Sequence, residues 1–561
     1  MAVQTLRRSA AWPGWLIYAL SFGIGLGTAV DIFGLHVLLG TAEYWDSPHG
    51  IVGGSANDML TSLSGYDTFV RDSWRWPLLR VEGMGGPGGT NIAFVDGAPG
   101  LALIGRAIFR LTGSTPVLFG VWTAGCFVLM ATASTGLVRR LGGRSVAAGV
   151  AAAAIGVSMP ALLARWGHNT LMAQGLIPLV LVAYLNVVAG MKPLRAFALM
   201  LALCLLSILT IPYLFFMTIA VALAGLGQAG LRKVVPLPQT VLACSGLIGS
   251  CLLALFALGH LTGGLFADRG FGVFSMNLLS PFVPQVSGLF PGARGMVDAT
   301  GGQYEGFVYL GFGLILLIAL AAPELRQRLP GRVRRHALLS IVLAVSVALA
   351  VSNKVYAGSL LLLSFPVPEF LSGVTGIVRS SGRLAWIALY LGAALAVATI
   401  ARWRLALPLL LGASLLQWMD AGAFRASIRE SVAGPFSTID RIAWTSAMPF
   451  VSRIAVDPPF LCIGASPDQD AMQHAAAEIQ LKAAQADVPN NSVYAARTRP
   501  DCTLPPISPG MLWVAMRPDG FRPDFPCASG TLLTVCHDRL GLAILTALAT
   551  TTTRSRTVDG P

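Results

Sequence analysis

About eleven stretches of this chain are apolar over the length of a bilayer crossing, which takes roughly 20 residues as a helix. They lie at approximately 14–35, 115–138, 145–164, 170–190, 195–210, 212–229, 240–261, 305–323, 337–352, 384–401 and 405–420. In hydrocarbon no water satisfies a backbone N–H or C=O, so a spanning segment must close its own hydrogen bonds. The chain is 55% hydrophobic and 12% charged, well short of the quarter or so of charged residues in a soluble domain. The expected fold class is therefore an all-α polytopic membrane bundle of about 11 transmembrane helices over residues 1–420. At Thr210, Ile211 and Pro212 the proline either kinks one helix or separates two. No internal repeat of the inverted-repeat transporter kind is visible.

Basic clusters orient the bundle. Arg7 and Arg8, Arg139 to Arg144, Lys192 and Arg195, Arg232 and Lys233, Arg326 to Arg335, and Arg402 and Arg404 all fall on one side of these spans. That places the N terminus in the cytoplasm and loops 41–112, 263–304 and 353–383 outside. The expected site is a membrane bordering the cytoplasm, crossed many times. The net charge of +13 is largely these anchors, so the partners they imply are membrane lipids and not nucleic acid. The first apolar run is long and has no clear cleavage site, so no cleavable signal peptide is expected.

Residues 421–561 then lie outside as a small soluble α/β domain. Asp470 to Asp487 repeats apolar residues at helical spacing, and Met511–Met516 and Thr531–Val535 have the character of strands. The tail from Thr550 to Pro561 has the composition of a disordered segment. Cys462, Cys502, Cys527 and Cys536 all fall in this domain, and four cysteines outside the cytoplasm imply two disulfides. Three pairings are open. Cys126, Cys204, Cys244 and Cys251 lie in apolar spans as packing residues.

The first external loop is acidic in a basic protein. Glu43, Asp46, Asp58, Asp67, Asp72, Glu82 and Asp96 stand against Arg71, Arg75 and Arg80. A carboxylate at the membrane surface can take a proton from an attacking hydroxyl, and Asp58, in SANDMLTSLSGYDTFVRDSWRWP, is the leading candidate. The alternative is a helix cap or a solvated acid. Asp96, in FVDGAPGLAL, is either a turn residue or a second acid that contacts a sugar hydroxyl or a metal. The stretch Ala98 to Leu111 is apolar but short, as expected of a helix lying along the interface. Arg165 and His168 in RWGHNTLMA, and Arg379 and Arg383 in RSSGRLAW, are basic groups on the external side. Guanidinium forks suit phosphate oxygens; headgroup anchoring is the other reading. Gln303, Tyr304 and Glu305 in GQYEGFVYLG suit sugar recognition or an interfacial belt. The loop 353–383 includes the apolar run Leu360 to Phe365, expected as a re-entrant or surface helix. No glycine-rich phosphate loop with lysine, paired-cysteine zinc spacing or HExxH is present, which disfavours ATP-driven transport and zinc proteolysis.

Asp58 followed by Gly65 and Arg71, then FVDGAPGLAL, RWGHNTLMA, GQYEGFVYLG, RSSGRLAW and NNSVYAAR, run in that order over residues 58–497 and resemble a bacterial family of polytopic proteins that is itself similar to the GT-C class of membrane glycosyltransferases. The resemblance implies transfer of a sugar from a polyprenyl-phosphate donor to an extracytoplasmic glycan, lipid or protein acceptor. In that class a first-loop carboxylate is the usual base, which here points to Asp58, and the reaction expected of this chain inverts the anomeric carbon. The donor phosphate would be held by Arg165, His168, Arg379 and Arg383, and the substrate by Asp96, Gln303, Tyr304 and Glu305. No cofactor is required, and a divalent metal is compatible through Asp58 and Asp96. Rival readings are a lipid-linked saccharide transporter or flippase and a non-catalytic assembly factor for envelope polysaccharide. External polar groups beside spans are costly unless they meet water, headgroups or one another. The nine candidates are therefore expected to converge on one cavity.

Overall fold

The structure, a computed structural model, describes residues 14–50, 55–86, 88–262, 270–291, 297–496, 501–516 and 523–551. Among them seven helices are long and apolar enough to cross a membrane: Gly14–Leu38, Phe119–Arg140, Val146–Leu163, Asn169–Val188, Pro212–Leu231, Leu237–Ala257 and Ser381–Ile400. Two bent pairs raise the number to nine if each pair is one span: Phe312–Arg335 with Ala337–Val351, at 110°, and Ala406–Asp420 with Gly422–Val432, at 44°. Pro193–Ile208 is apolar but only 16 residues long. It is a separate helix from Pro212–Leu231, so Pro212 opens a new helix. The stretch expected at 305–323 begins as a helix only at Phe312, because Gln303–Gly306 forms a buried 3-10 turn before it. Asn169–Val188 is 78% buried over its apolar window and Leu237–Ala257 only 17%, so the first lies in the middle of the bundle and the second at its rim.

The first loop folds into the protein. Ser55–Arg71 buries Met59, Leu60, Leu63, Tyr66, Phe69 and Val70. It is packed between Pro99–Thr112, the expected interfacial helix, and the distant helix Gln469–Gln485. His474 Nδ1 lies 3.1 Å from Asn57 Oδ1, and Arg71 donates to the Ala484 carbonyl at 3.3 Å, capping the far helix at its C-terminal end. Gln469–Gln485 was expected at 470–487 with one apolar face; instead it is buried on every side from His474 to Ala484. Its Glu478 accepts from Ser47 Oγ at 2.6 Å and from Thr438 N at 2.8 Å.

The C-terminal region carries a four-stranded sheet in the order Arg453–Asp457, Met511–Ala515, Thr534–Cys536, Cys527–Ser529. The first pair is parallel and the others antiparallel. The strand expected at Met511–Met516 is present as Met511–Ala515, and the one expected at Thr531–Val535 is shifted to Thr534–Cys536. Cys462 is bonded to Cys502 and Cys527 to Cys536, which closes the open choice of pairing. The expected disordered tail lies outside the described residues from 552 onward. The Cys462–Cys502 bond joins residues 40 positions apart, and closing a loop of that length is worth about 4 kcal/mol in the chain-entropy account. Reduction, or paired Cys462→Ala and Cys502→Ala, is therefore expected to lower the melting temperature of this region, measured by thermal unfolding with and without reductant. An unchanged midpoint would contradict it.

The run Leu360 to Phe365 is not a helix. Lys354–Ala357 and Leu360–Ser364 form an antiparallel hairpin. Leucine favours helix, but Gly358 and Pro366 bracket too few residues to nucleate one.

Candidate functional site

A cavity of about 460 Å³ lies where the first loop, three helix ends and the C-terminal region meet. That is within the range of small-molecule sites. Asp58 enters it from the first turn of Ser55–Arg71. Arg165 and His168 enter from the turn between Val146–Leu163 and Asn169–Val188, and Tyr304 and Glu305 from the 3-10 turn. Arg379 and Arg383 come from the approach to Ser381–Ile400.

Glu305 is the centre of the charge arrangement. Its Oε2 accepts from Arg165 Nη1 at 2.6 Å and from Arg383 Nη2 and Nε at 2.6 and 3.0 Å. The close approach depends on two glycines: a Cβ on Gly382 would overlap the Gly306 Cα. Arg165 also donates to the Tyr304 carbonyl at 2.7 Å, and Arg383 stacks over Tyr213 at 4.6 Å. His168 bridges two acids, with Nδ1 3.2 Å from Asp58 Oδ2 and Nε2 3.6 Å from Glu305 Oε1. The second is an ionic contact, longer than a hydrogen bond. A doubly protonated imidazole suits a ring with a carboxylate at each end. One chain of charge thus runs from Asp58 through His168 and Glu305 to the two arginines.

The titration shifts follow from this geometry. Burial pushes Asp58 up, opposed by His168, and its side chain keeps 23% of its surface open to the cavity. Burial likewise lifts Asp96 to about 6, although Thr170 donates to its carboxylate. Burial alone would raise Glu305, but Arg383, Arg165 and His168 outweigh it and hold that carboxyl well below its usual value. Burial would depress His168, but Asp58 and Glu305 raise it. Three acids, Asp58, Asp96 and Glu305, thus share one space with His168 and three arginines.

Asp96 is placed by unusual backbone. It has φ 55 and Ala98 has φ 45, both in the left-handed region that non-glycine residues seldom adopt. Ser62 Oγ donates to the Asp96 carbonyl at 2.6 Å and ties this turn to the Asp58 helix.

Of the nine candidates, Asp58, Asp96, Arg165, His168, Tyr304, Glu305, Arg379 and Arg383 line the cavity. Gln303 does not: its Oε1 accepts from Asn277 Nδ2 and Ala299 N, both at 3.0 Å, so it braces the loop behind. The other first-loop acids are elsewhere. Asp46 pairs with Arg441 and Asp72 with Arg75, while Asp67 is buried away from the cavity and raised to about 6. Sequence reading missed Tyr213 and Tyr494. Tyr213 had one signal, its place beside Pro212 at a span mouth. Tyr494 comes from the C-terminal region, stacks on Phe460 at 4.7 Å and reaches the cavity with Leu461. The charge of Asp58 and burial push its phenol up. It falls in the phrase NNSVYAAR, but nothing local shows what it faces.

Among the described residues no group of three or more His, Cys, Asp or Glu is placed to hold a metal ion. Glu305 is taken up by guanidiniums and Asp96 by Thr170. A divalent ion at Asp58 and Asp96 would draw its other ligands from water or substrate oxygens, as magnesium does.

Fold and site together define a helical protein with several membrane-length apolar helices and a C-terminal sheet region, built around a mixed-charge cavity. The chain belongs to the family described as Domain of unknown function (DUF6311), whose profile matches residues 22–422. All nine candidate residues fall inside that match, and Tyr494 falls beyond it. No curated protein matches the chain.

Proposed function

We propose that this protein is a membrane glycosyltransferase of GT-C type. It transfers a sugar from a polyprenyl-phosphate donor to an extracytoplasmic glycan, lipid or protein acceptor. The observation that carries the reading is Asp58 open to the cavity beside His168, with Arg165 and Arg383 gathered on Glu305 and Arg379 on the same wall. In this reading eleven helices cross the bacterial inner membrane, with Pro193–Ile208 and both halves of the 110° pair counted separately. The N terminus is cytoplasmic and the C-terminal region lies outside.

Asp58 takes the proton from the acceptor hydroxyl as its oxygen bonds to the anomeric carbon. The bond from that carbon to the donor phosphate oxygen breaks on the opposite face, so the centre inverts. Polyprenyl phosphate leaves with the electron pair, and the arginines lining the cavity stabilise the charge it gains. Asp96 and Tyr304 supply polar contacts to sugar hydroxyls, and Tyr494 supplies an aromatic face. The test is purified protein in proteoliposomes given a panel of synthetic polyprenyl-phosphate sugars. A new glycosidic bond of inverted configuration is expected. Movement of the lipid across the vesicle without bond formation would replace this reading with a flippase, and neither activity would leave an assembly factor.

One pH prediction follows from the His168 contact. The cation holds Asp58 down against the upward push of burial. Removing it as His168→Gln raises the Asp58 pKa further, so the acidic limb of kcat/KM moves to higher pH. A pH–rate profile reads this directly, and a limb that stays in place would remove Asp58 as the titrating base.

A further inference from the structure

The hairpin is apolar where a water-exposed hairpin should not be. Leu360, Leu361, Leu362 and Leu363 are each 45–64% exposed, and Phe365 48%. Successive strand residues point to opposite faces, so both faces are uncovered. The patch is continuous with exposed apolar side chains before and after it. Ile341, Val345 and Leu349 form a stripe along Ala337–Val351, the helix that leads into the hairpin, and Phe370 and Val374 follow it. The hairpin is held at both ends. Phe365 N donates to the Asn353 carbonyl at 3.1 Å and Asn353 Nδ2 to the Phe365 carbonyl at 2.9 Å. At the tip, Asn277 Nδ2 donates to the Gly358 carbonyl at 2.8 Å.

The leucines need an apolar surrounding, while the outer edge of Leu360–Ser364 has backbone groups that need water. Only the boundary between hydrocarbon and headgroups offers both. The same stretch of chain then turns through Glu369–Leu371 and Ser372–Ile377 into the cavity wall, where Gly376, Ile377 and Arg379 lie.

We propose that the hairpin is an interfacial platform that seats the isoprenoid chain of a membrane-resident lipid phosphate, with its headgroup reaching Arg379 in the cavity. The headgroup part rests on the glycosyltransferase reading; the position of the platform does not. The occupant is a lipid chain because the apolar surface continues that of a membrane-length helix pair and leads to a cation-rich cavity.

Two measurements test it in the full-length protein. Leu361→Cys and Leu362→Cys, made singly in a Cys244→Ser background, are spin-labelled and reconstituted in proteoliposomes. Collision with oxygen is expected to exceed collision with a water-soluble nickel chelate. Strong collision with the chelate would put the hairpin in water, and weak collision with both would mean a protein, such as a second copy, covers it; either overturns the proposal. The second measurement compares donors in Leu361→Ser/Leu363→Ser. The KM for a full-length polyprenyl-phosphate sugar is expected to rise about ten-fold or more, while that for a short-chain analogue stays within about two-fold. Equal change for both donors would reject the chain-seating role. If the unaltered protein transfers from neither donor, the glycosyltransferase reading fails and the spin labels alone decide the platform.

Discussion

On the proposed glycosyltransferase reading, Asp58→Asn is expected to lower sugar transfer by roughly 10²- to 10⁴-fold, the usual contribution of a positioned general base. The fold should persist. An amide oxygen can still accept from His168, and Asp58 has no other ion-pair partner among the described side chains. The loss should fall on kcat, because the base acts as the acceptor hydroxyl attacks and the donor phosphate is held by other groups. Donor binding, measured with a non-transferable analogue, should change little. A variant that keeps its full rate would sink the mechanism, and one that loses donor affinity as well would show that Asp58 positions the headgroup.

Glu305→Gln is expected to damage the protein itself. Arg165 and Arg383 are both buried, and Glu305 is the carboxylate that takes both guanidiniums. Removing one member of a buried ion pair costs about 3–5 kcal/mol, since the remaining charge stays out of water. Lower yield and a lower melting temperature in detergent are expected, against little change for Asp58→Asn. The pH dependence has a definite sign. Burial acts to raise Glu305, but Arg383, Arg165 and His168 hold its folded-state pKa well below the ordinary 4.5. Its contribution is therefore fully present above about 4.5, the unfolded value, and is lost as pH falls through the depressed folded value. The stability gap between wild type and Glu305→Gln should be constant near neutrality and narrow only in acid below 4.5. A gap that narrows near neutral pH would mean that Glu305 is not the ionised partner.

Much of the fold could be read because hydropathy is a local property. An apolar helix lies at or beside every expected span, but length separates seven clear candidates from shorter or bent ones. The polar groups of the site stood out for the same reason: Arg165, His168, Arg379 and Arg383 interrupt long apolar stretches. Their convergence was arguable from the cost of leaving such groups unpartnered. What each touches was not. Gln303 is two residues from Glu305, yet it faces away, because the tight 3-10 turn points neighbouring side chains in different directions. Tyr494 was invisible as a wall of the cavity because its position depends on packing between helices far apart in the chain. The four-leucine run carried a helical preference that its flanking glycine and proline overruled. Disulfide pairing depends on which ends the sheet and its neighbours bring together, which spacing alone does not encode.

The clasp between Asn57 and His474, 417 positions apart, has a meaning in time as well as in space. Chains are synthesised from the N terminus at about 5–20 residues per second, so the Asp58 helix waits roughly 20–80 s for the helix that covers it. During that interval the carboxylate and the arginines exist, but the wall bearing Leu461 and Tyr494 has not been made. A chain stopped before the C-terminal region therefore lacks one wall of the cavity, and only the longer polypeptide encloses it. The same delay leaves the face of Ser55–Arg71 that Gln469–Gln485 covers without its partner until the far helix is made.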